Sequence, residues 1–404
     1  MSEYNPLYLV KVEAGANNNK YYRMLPRENN FLVEYGRIGV DGFQTCTYSL
    51  SQWSKKLNEK LRKGYVDQSR LVAEPTIIQK KKEYLDIENP SIAQIISRLQ
   101  SMAKQAIKDN YTISSNKVTQ IMIDEAQVTL NNLINTDNIE KFNQILIELF
   151  KIIPRKMGRV ADYLVTKKTN FADIIQREQD LLDVMKGQVI QHSVIDEEEI
   201  DTYELPKQTI LDVLGLQFGE ITSEEKEIIK KNLGSIGDKY YQAWKVTNNK
   251  TQKKFDDFVK SNSINNIKLL WHGSRNENFW SIINLGLMLK PTNAIRTGSM
   301  FGNGIYFSND AGKSFNYTSY AGSYWAKGNA NTAFMILNDI AYGNPYNVYS
   351  FDSKYYNFDY EKLQQACKGA SSLHAHGGTG MLRRDEIIVY KENQVTIKYL
   401  VELR

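Results

Sequence analysis

Residues 301–317 read FGNGIYFSNDAGKSFNY. Five aromatics (Phe301, Tyr306, Phe307, Phe315, Tyr317) and three glycines (Gly302, Gly304, Gly312) share seventeen positions, with Lys313 and Ser314 just before the last two rings. GIYFS has the alternation of a short strand that sets Tyr306 on one face. The turn SNDAG leads into a helix expected to start near Gly312 and to carry Lys313, Ser314 and Tyr317. Two tyrosines on different elements can close on both sides of a flat ring while Ser314 bonds its substituent. The residues alone leave a second reading open, in which the rings fill a core.

Upstream, LLWHGSR (269–275) runs an apolar strand into His272, Gly273 and Ser274. A residue without a side chain at such a strand end lets backbone N–H and C=O reach a planar amide. Downstream, RRDEIIVYKENQVTIKYL (383–400) puts Glu386 at the start of an apolar strand, where a half-buried carboxylate needs a partner. In VTIKYLVEL, apolar residues alternate with mostly polar ones, so one buried face is expected for this last strand.

The rest of the chain falls into two further blocks. YLVKVEA and NFLVEYGRIGVDGFQTCTYS are hairpin-like β runs, followed by SQWSKKLNEKLRKG, a helix with Trp53, Leu57 and Leu61 on one side and its end at Gly64. Between Asn89 and about residue 193 the period is helical. Asn89 caps a first helix with Ile92, Ile95, Ile96, Leu99 and Met102 on one face, further runs cover Val118–Leu133 and Ile139–Ile153, and the acidic stretch Asp196–Glu199 reads as a solvated connection. Thr222 with Glu225 reads as a capping box for EEKEIIKKNL, and ENFWSIINLGL as a short helix closed at Gly286. The Asn run at 17–19 is the only low-complexity stretch.

The chain has 404 residues, 42% of them hydrophobic and 24% charged, which suits two or three globular domains. Two cysteines, Cys46 and Cys367, exclude a disulfide framework and point to a reducing compartment, and neither a signal-like start nor an apolar run of membrane-spanning length is present. The formal charge is +5; residues 1–85 hold fourteen Lys/Arg and nine Asp/Glu, 14 − 9 = +5, so a polyanion should dock there. Cys367, His374 and His376 are zinc-type residues, but with no fourth ligand at a suitable spacing the expectation is no metal.

LLWHGSR, TGSMFGNGIYFSNDAGKSFNY and DEIIVYKENQVTIKYL, in that order, closely resemble the catalytic domain of the poly(ADP-ribose) polymerases. The likeness spans about residues 203–404. Its His–Tyr–Glu triad falls on His272, Tyr306 and Glu386. LFKIIPRKMG resembles part of the family's autoinhibitory helical domain, and the first segment resembles its WGR domain, with YGRIG (35–39) at the naming motif. The resemblance implies an α+β multidomain protein: a WGR-like module at 1–85, a helical regulatory domain at 89–202 and a mixed antiparallel-sheet ADP-ribosyltransferase domain at 203–404.

It further implies NAD as ADP-ribose donor. Gly273 and Ser314 would hold the nicotinamide amide, Tyr306 and Tyr317 sandwich its ring, and His272 with Ser274 bond the adenosine half. Phe307 and Lys313 complete the NAD site, and Glu386 would serve the ribose and the acceptor. Expected partners are DNA, above all strand breaks, through Tyr35, Arg37, Lys55, Lys56, Lys60, Arg62 and Lys63, and protein acceptors including the enzyme itself. The alternatives are a mono-ADP-ribosyltransferase and a DNA-binding scaffold that has lost catalysis. Location follows the organism, nuclear in a eukaryote and with the chromosome in a prokaryote. Departures from the family pattern are Met288, where an arginine is usual and Lys290 or Arg296 could substitute; Asn303 in place of lysine; Tyr35 in place of tryptophan; and GASSLHAHGGTGML ahead of Glu386.

Overall fold

The computed structural model describes residues 4–40, 42–69, 84–112, 118–134, 136–197, 208–289, 300–323, 326–327, 330–378 and 382–404. Lys290 and Arg296 lie outside them. The chain forms two compact units, residues 1–82 with 104–192 and residues 83–103 with 193–404.

In the first unit, β1 (Leu7–Glu13), β2 (Asn18–Pro26), β3 (Asn30–Arg37) and β4 (Gln44–Ser49) form an antiparallel meander, with α1 (Trp53–Arg62) and the short β5 (Val66–Asp67) completing a sheet ordered β4-β3-β2-β1-β5. Trp53 docks α1 by packing edge-on to Phe31 in a core shared with Leu9, Tyr22, Met24 and Val33. The helices are α2 (Pro90–Asn110), whose second half belongs here, α3 (Gln120–Ile134), α4 (Ile139–Ile152) and α5 (Phe171–Glu197). Asn138 caps α4 by accepting from the Lys141 N–H, and the helix ends ahead of Pro154, as the helical period predicts. The backbone of α5 is helical through Glu197, so the solvated connection expected from Asp196 does not start there, and Glu198 and Glu199 lie outside the described residues.

The asparagine run is a docking device. Asn17, left-handed at φ 48°, accepts the Val160 N–H on Oδ1, and the buried Asn19 donates to the carbonyl oxygens of Ile38 and Arg155. Arg37 donates to the carbonyl oxygens of Asn17 and Gly158. Beneath this seam, Arg155 pairs with Glu178, both 2% exposed, and its Nε donates to the Asn110 carbonyl. Arg177 holds the other Glu178 oxygen at 2.9 Å.

In the second unit, α6 (Ile210–Leu214) precedes β6 (Leu216–Glu220), and α7 (Ser223–Leu233) opens on the Thr222/Glu225 capping box. β7 (Tyr240–Asn248), α8 (Asn249–Ser261), β8 (Ile267–Gly273) and α9 (Phe279–Leu285) follow, then β9 (Ile305–Phe307) and α10 (Ala311–Phe315). A two-stranded ribbon, β10 (Gly322–Ser323) with β11 (Ala326–Lys327), leads to β12 (Ala333–Ala341), β13 (Pro345–Val348), α11 (Tyr360–Ala366), β14 (Ser372–Ala375), β15 (Glu386–Val389) and β16 (Val395–Leu403). Two sheets result, β6-β7-β16-β12-β8 and β13-β14-β15-β9.

β16 differs from the half-buried strand its alternation suggests. It lies between β7 and β12 and, apart from the partly exposed Lys398, is buried on both faces, Thr396 and Glu402 included. Glu402 is fully buried because Arg98, from the first half of α2, grips it with two bonds of 2.8 and 3.0 Å and Arg404 adds a third. A charge at a core position is tolerated only with such complete pairing. Among the described residues no helix is long and apolar enough to cross a membrane.

Candidate active site

The site forms where the two sheets meet. Trp271 and Ser308 exchange backbone hydrogen bonds of 2.9 and 3.1 Å, bridging the end of β8 to the end of β9. Ser308, buried and not singled out by any motif, also donates from Oγ to the Asp385 carbonyl. Its chain neighbours gave no signal of this role, which depends on three strand ends converging.

His272 and Ser274, two residues apart, share one face of the β8 end. The His272 Nδ1 lies 3.0 Å from the Tyr306 carbonyl oxygen and its ring packs on Phe307 at 5.8 Å, so the imidazole is oriented by β9. Ser274 Oγ accepts from Asn278 Nδ2 at 3.0 Å. Gly273 has no room for anything larger: a Cβ there would stand 2.0 Å from the Ser314 carbonyl oxygen. That contact brings the backbones of β8 and α10 together, and Ser314 Oγ donates to the Trp271 carbonyl at 3.2 Å.

Asp310 caps α10 by accepting the Lys313 N–H, so the helix begins at Ala311, one residue ahead of the expected start, and Tyr317 falls just past its end. Tyr306 is anchored through its hydroxyl, which donates to the Gly302 carbonyl at 2.9 Å and accepts the Phe301 N–H at 3.0 Å. Gly302 can make that turn because its φ is 70°, and a Cβ would strike the Phe358 carbonyl. Tyr317 is 48% exposed, and burial of its phenol followed by the charge of Glu386 raises its pKa above the usual tyrosine value. Phe307 points the other way into the core, at 2% exposure, and supports His272.

Glu386 is 7% exposed at the start of β15. Its Oε1 is 2.7 Å from Lys313 Nζ, while Oε2 is buried and has no hydrogen-bond partner among the described residues. Lys313 Nζ also donates to the Arg384 carbonyl at 3.1 Å, so this lysine holds the carboxylate and the chain leading to it. A buried carboxylate oxygen costs on the order of 1–3 kcal/mol or more when unpaired and accepts readily from a hydroxyl that enters. The tight Gly273–Ser314 approach and the half-paired Glu386 carboxylate lie at the same meeting of strand ends.

The poly(ADP-ribose) polymerase catalytic domain profile matches residues 223–404, and the WGR domain profile matches residues 5–71. The chain belongs to the poly(ADP-ribose) polymerase family. It is an ADP-ribosyltransferase, with NAD as the substrate of its catalytic domain. Uncharacterized protein 101L of Invertebrate iridescent virus 6 is 33% identical over 43% of this chain and 73% of its own length. Poly [ADP-ribose] polymerase 2-A of Oryza sativa subsp. japonica is 21% identical over 97% of the chain and 69% of its own length. Protein mono-ADP-ribosyltransferase PARP3 of Mus musculus is 22% identical over 98% of the chain and 87% of its own length.

In this member of the family the seven basic or aromatic residues expected to meet nucleic acid do not act as one set. Lys55, Arg62 and Lys63 are exposed on α1, with Lys63 tied to Glu59 at 2.6 Å. Lys56 lies over the Tyr48 ring, and Lys60 over Tyr22 at 4.1 Å with Tyr35 and Tyr65 beside it. Burial lowers the Lys60 pKa below the usual lysine value. Arg37 instead spends its guanidinium on the Asn17 and Gly158 seam.

Proposed function

We propose that the chain is a DNA-break-activated poly(ADP-ribose) polymerase that modifies proteins, itself included. The observation that carries the catalytic part is Glu386, a buried carboxylate with one oxygen fixed by Lys313 and the other without a partner among the described residues. NAD would place its nicotinamide ring between Tyr306 and Tyr317, its amide on Gly273 and Ser314, and its adenosine half toward His272 and Ser274. As the nicotinamide–ribose bond breaks, positive charge grows on the sugar, and a fixed carboxylate beside it lowers that barrier more than it strengthens ground-state binding. The same oxygen would then align an acceptor hydroxyl.

The switch rests on the first unit. Its WGR module and helices share a polar seam through Asn17, Asn19 and Arg37, so a polyanion gripped by Lys55, Lys60, Arg62 and Lys63 with Tyr35 would act on the helices as well. We assign the nucleic-acid module to residues 1–85, the regulatory helices to 89–202 and the transferase to 203–404. In a eukaryotic cell the site of action would be the nucleus.

The relatives' names divide between polymer and single transfer, and the GASSLHAHGGTGML stretch ahead of Glu386 keeps the mono-ADP-ribosyl reading in play. Incubation with labelled NAD, with and without nicked DNA at low salt, separates them on a denaturing gel. The expected product is a DNA-dependent smear; a single sharp band makes the enzyme a mono-transferase, and a change in turnover below about twofold removes the switch.

A further inference from the structure

The sequence groups His374 and His376 with Cys367. The fold assembles a different trio: one nitrogen of His374, one of His376 and a carboxylate oxygen of Asp385 all lie within 4.8 Å of one another. The cause is strand geometry. His374 sits on β14 and His376 just beyond it, two residues apart and therefore on one face, and β14 pairs antiparallel with β15 so that Ala375 stands opposite Glu386. One step further along this register sets Asp385 opposite His376.

The surroundings orient each donor as a ligand set requires. The Tyr342 hydroxyl lies 2.9 Å from His374 Nδ1, leaving Nε2 to face Asp385 Oδ2 at 3.0 Å. The Gly377 N–H fixes the other Asp385 oxygen at 2.8 Å. His376 is stacked between Tyr349 at 4.4 Å and His374 at 4.0 Å, with Asn347 Oδ1 at 2.9 Å from its Nε2. Outer contacts of this kind set tautomer and direction in metal sites. In a tetrahedral zinc site with bonds of about 2.0–2.1 Å, donors stand about 3.3 Å apart, so one edge of the trio is already near that length and the others need to close by about 1.5 Å or less.

We propose that His374, His376 and Asp385 bind a first-row divalent cation of the zinc type, with the fourth position open to water. Two imidazoles and one carboxylate select such an ion over magnesium or calcium, which prefer all-oxygen sets. The ion would clip the end of β14 to the residue immediately ahead of Glu386. It would stabilise that strand start and take no part in the transfer chemistry.

The test uses the full chain, stripped with a chelator and titrated with ZnCl2 or MgCl2 by calorimetry. One equivalent of Zn2+ should bind, Mg2+ should not, Co2+ should give the absorption of a tetrahedral site, and Zn2+ should raise Tm by about 4 °C or more. His376→Ala and the near-isosteric Asp385→Asn should each weaken Zn2+ binding at least about 100-fold, while a Cys46→Ser/Cys367→Ser double variant should leave it unchanged. On the unaltered chain, Zn2+ should shield His376 from diethyl pyrocarbonate, read by mass spectrometry. No one-to-one Zn2+ binding, binding indifferent to His376→Ala and Asp385→Asn, or an unshielded His376 would overturn the proposal.

Discussion

Glu178 of the first unit and Glu386 of the second are both buried beside a cation, yet they are finished differently. Glu178 has Arg155 on one oxygen and Arg177 on the other. Glu386 has Lys313 on one oxygen and, among the described residues, no hydrogen-bond partner on the other. A fully paired buried carboxylate stabilises a fold and is chemically inert, whereas one left half-paired is costly to stability and available to a ligand. Under the proposed function, this contrast marks Glu178 as a structural ion pair and Glu386 as the candidate site.

The sharpest way to break the comparison is the same isosteric change at both positions. Glu386→Gln should lower ADP-ribosyl transfer by about 10²–10³-fold while NAD affinity stays within about threefold and Tm within a few degrees, because only the charge facing the developing cation is removed. Equal loss of NAD binding, measured by calorimetry, would mean that the carboxylate serves the ground state. Glu178→Gln should do the reverse. It leaves the Arg155 guanidinium buried without its counter-charge, so denaturant unfolding should report a loss of about 3 kcal/mol, with turnover per folded molecule near that of the parent.

A third carboxylate calibrates the scale. At the start of α7 the Thr222 backbone N–H, then the Tyr399 hydroxyl and Lys245, hold Glu225 below its ordinary carboxyl range. A depressed pKa contributes stability that is present above the unfolded value of 4.5 and is lost as pH falls through the folded value. Glu225→Gln should therefore cost about 0.5–1 kcal/mol at pH 7, and the gap should close as pH falls below the folded value. A gap that persists in acid would show that the cap works through shape and not charge.

Local rules carried much of this structure into view. The Thr222/Glu225 box, the Asn89 cap, the stop at Pro154 and the Tyr306 strand all follow from neighbours a few residues apart. Short patterns singled out His272, Tyr306, Ser314 and Glu386, while the roles proposed for them come from the family resemblance. What stayed hidden was long-range polar pairing. Asn19 with Arg155, Arg98 with Glu402 and His374 with Asp385 join residues that meet only once strands and helices have closed. The alternation in VTIKYLVEL misled for that reason: Glu402 looks solvated until Arg98 arrives, and Thr396 until it meets Gln252.

The position of β16 bears on how the protein is made. It is the middle strand of the larger sheet and follows every other strand of that sheet in chain order. During synthesis, β6 with β7 and β12 with β8 can pair early, but each half then offers a bare edge until Val395–Leu403 leaves the ribosome and is threaded between them. The transferase unit therefore completes its core only after translation of its last strand. Nascent chains halted before Val395 would carry two sticky half-sheets, a burden that falls on chaperones and not on the finished enzyme.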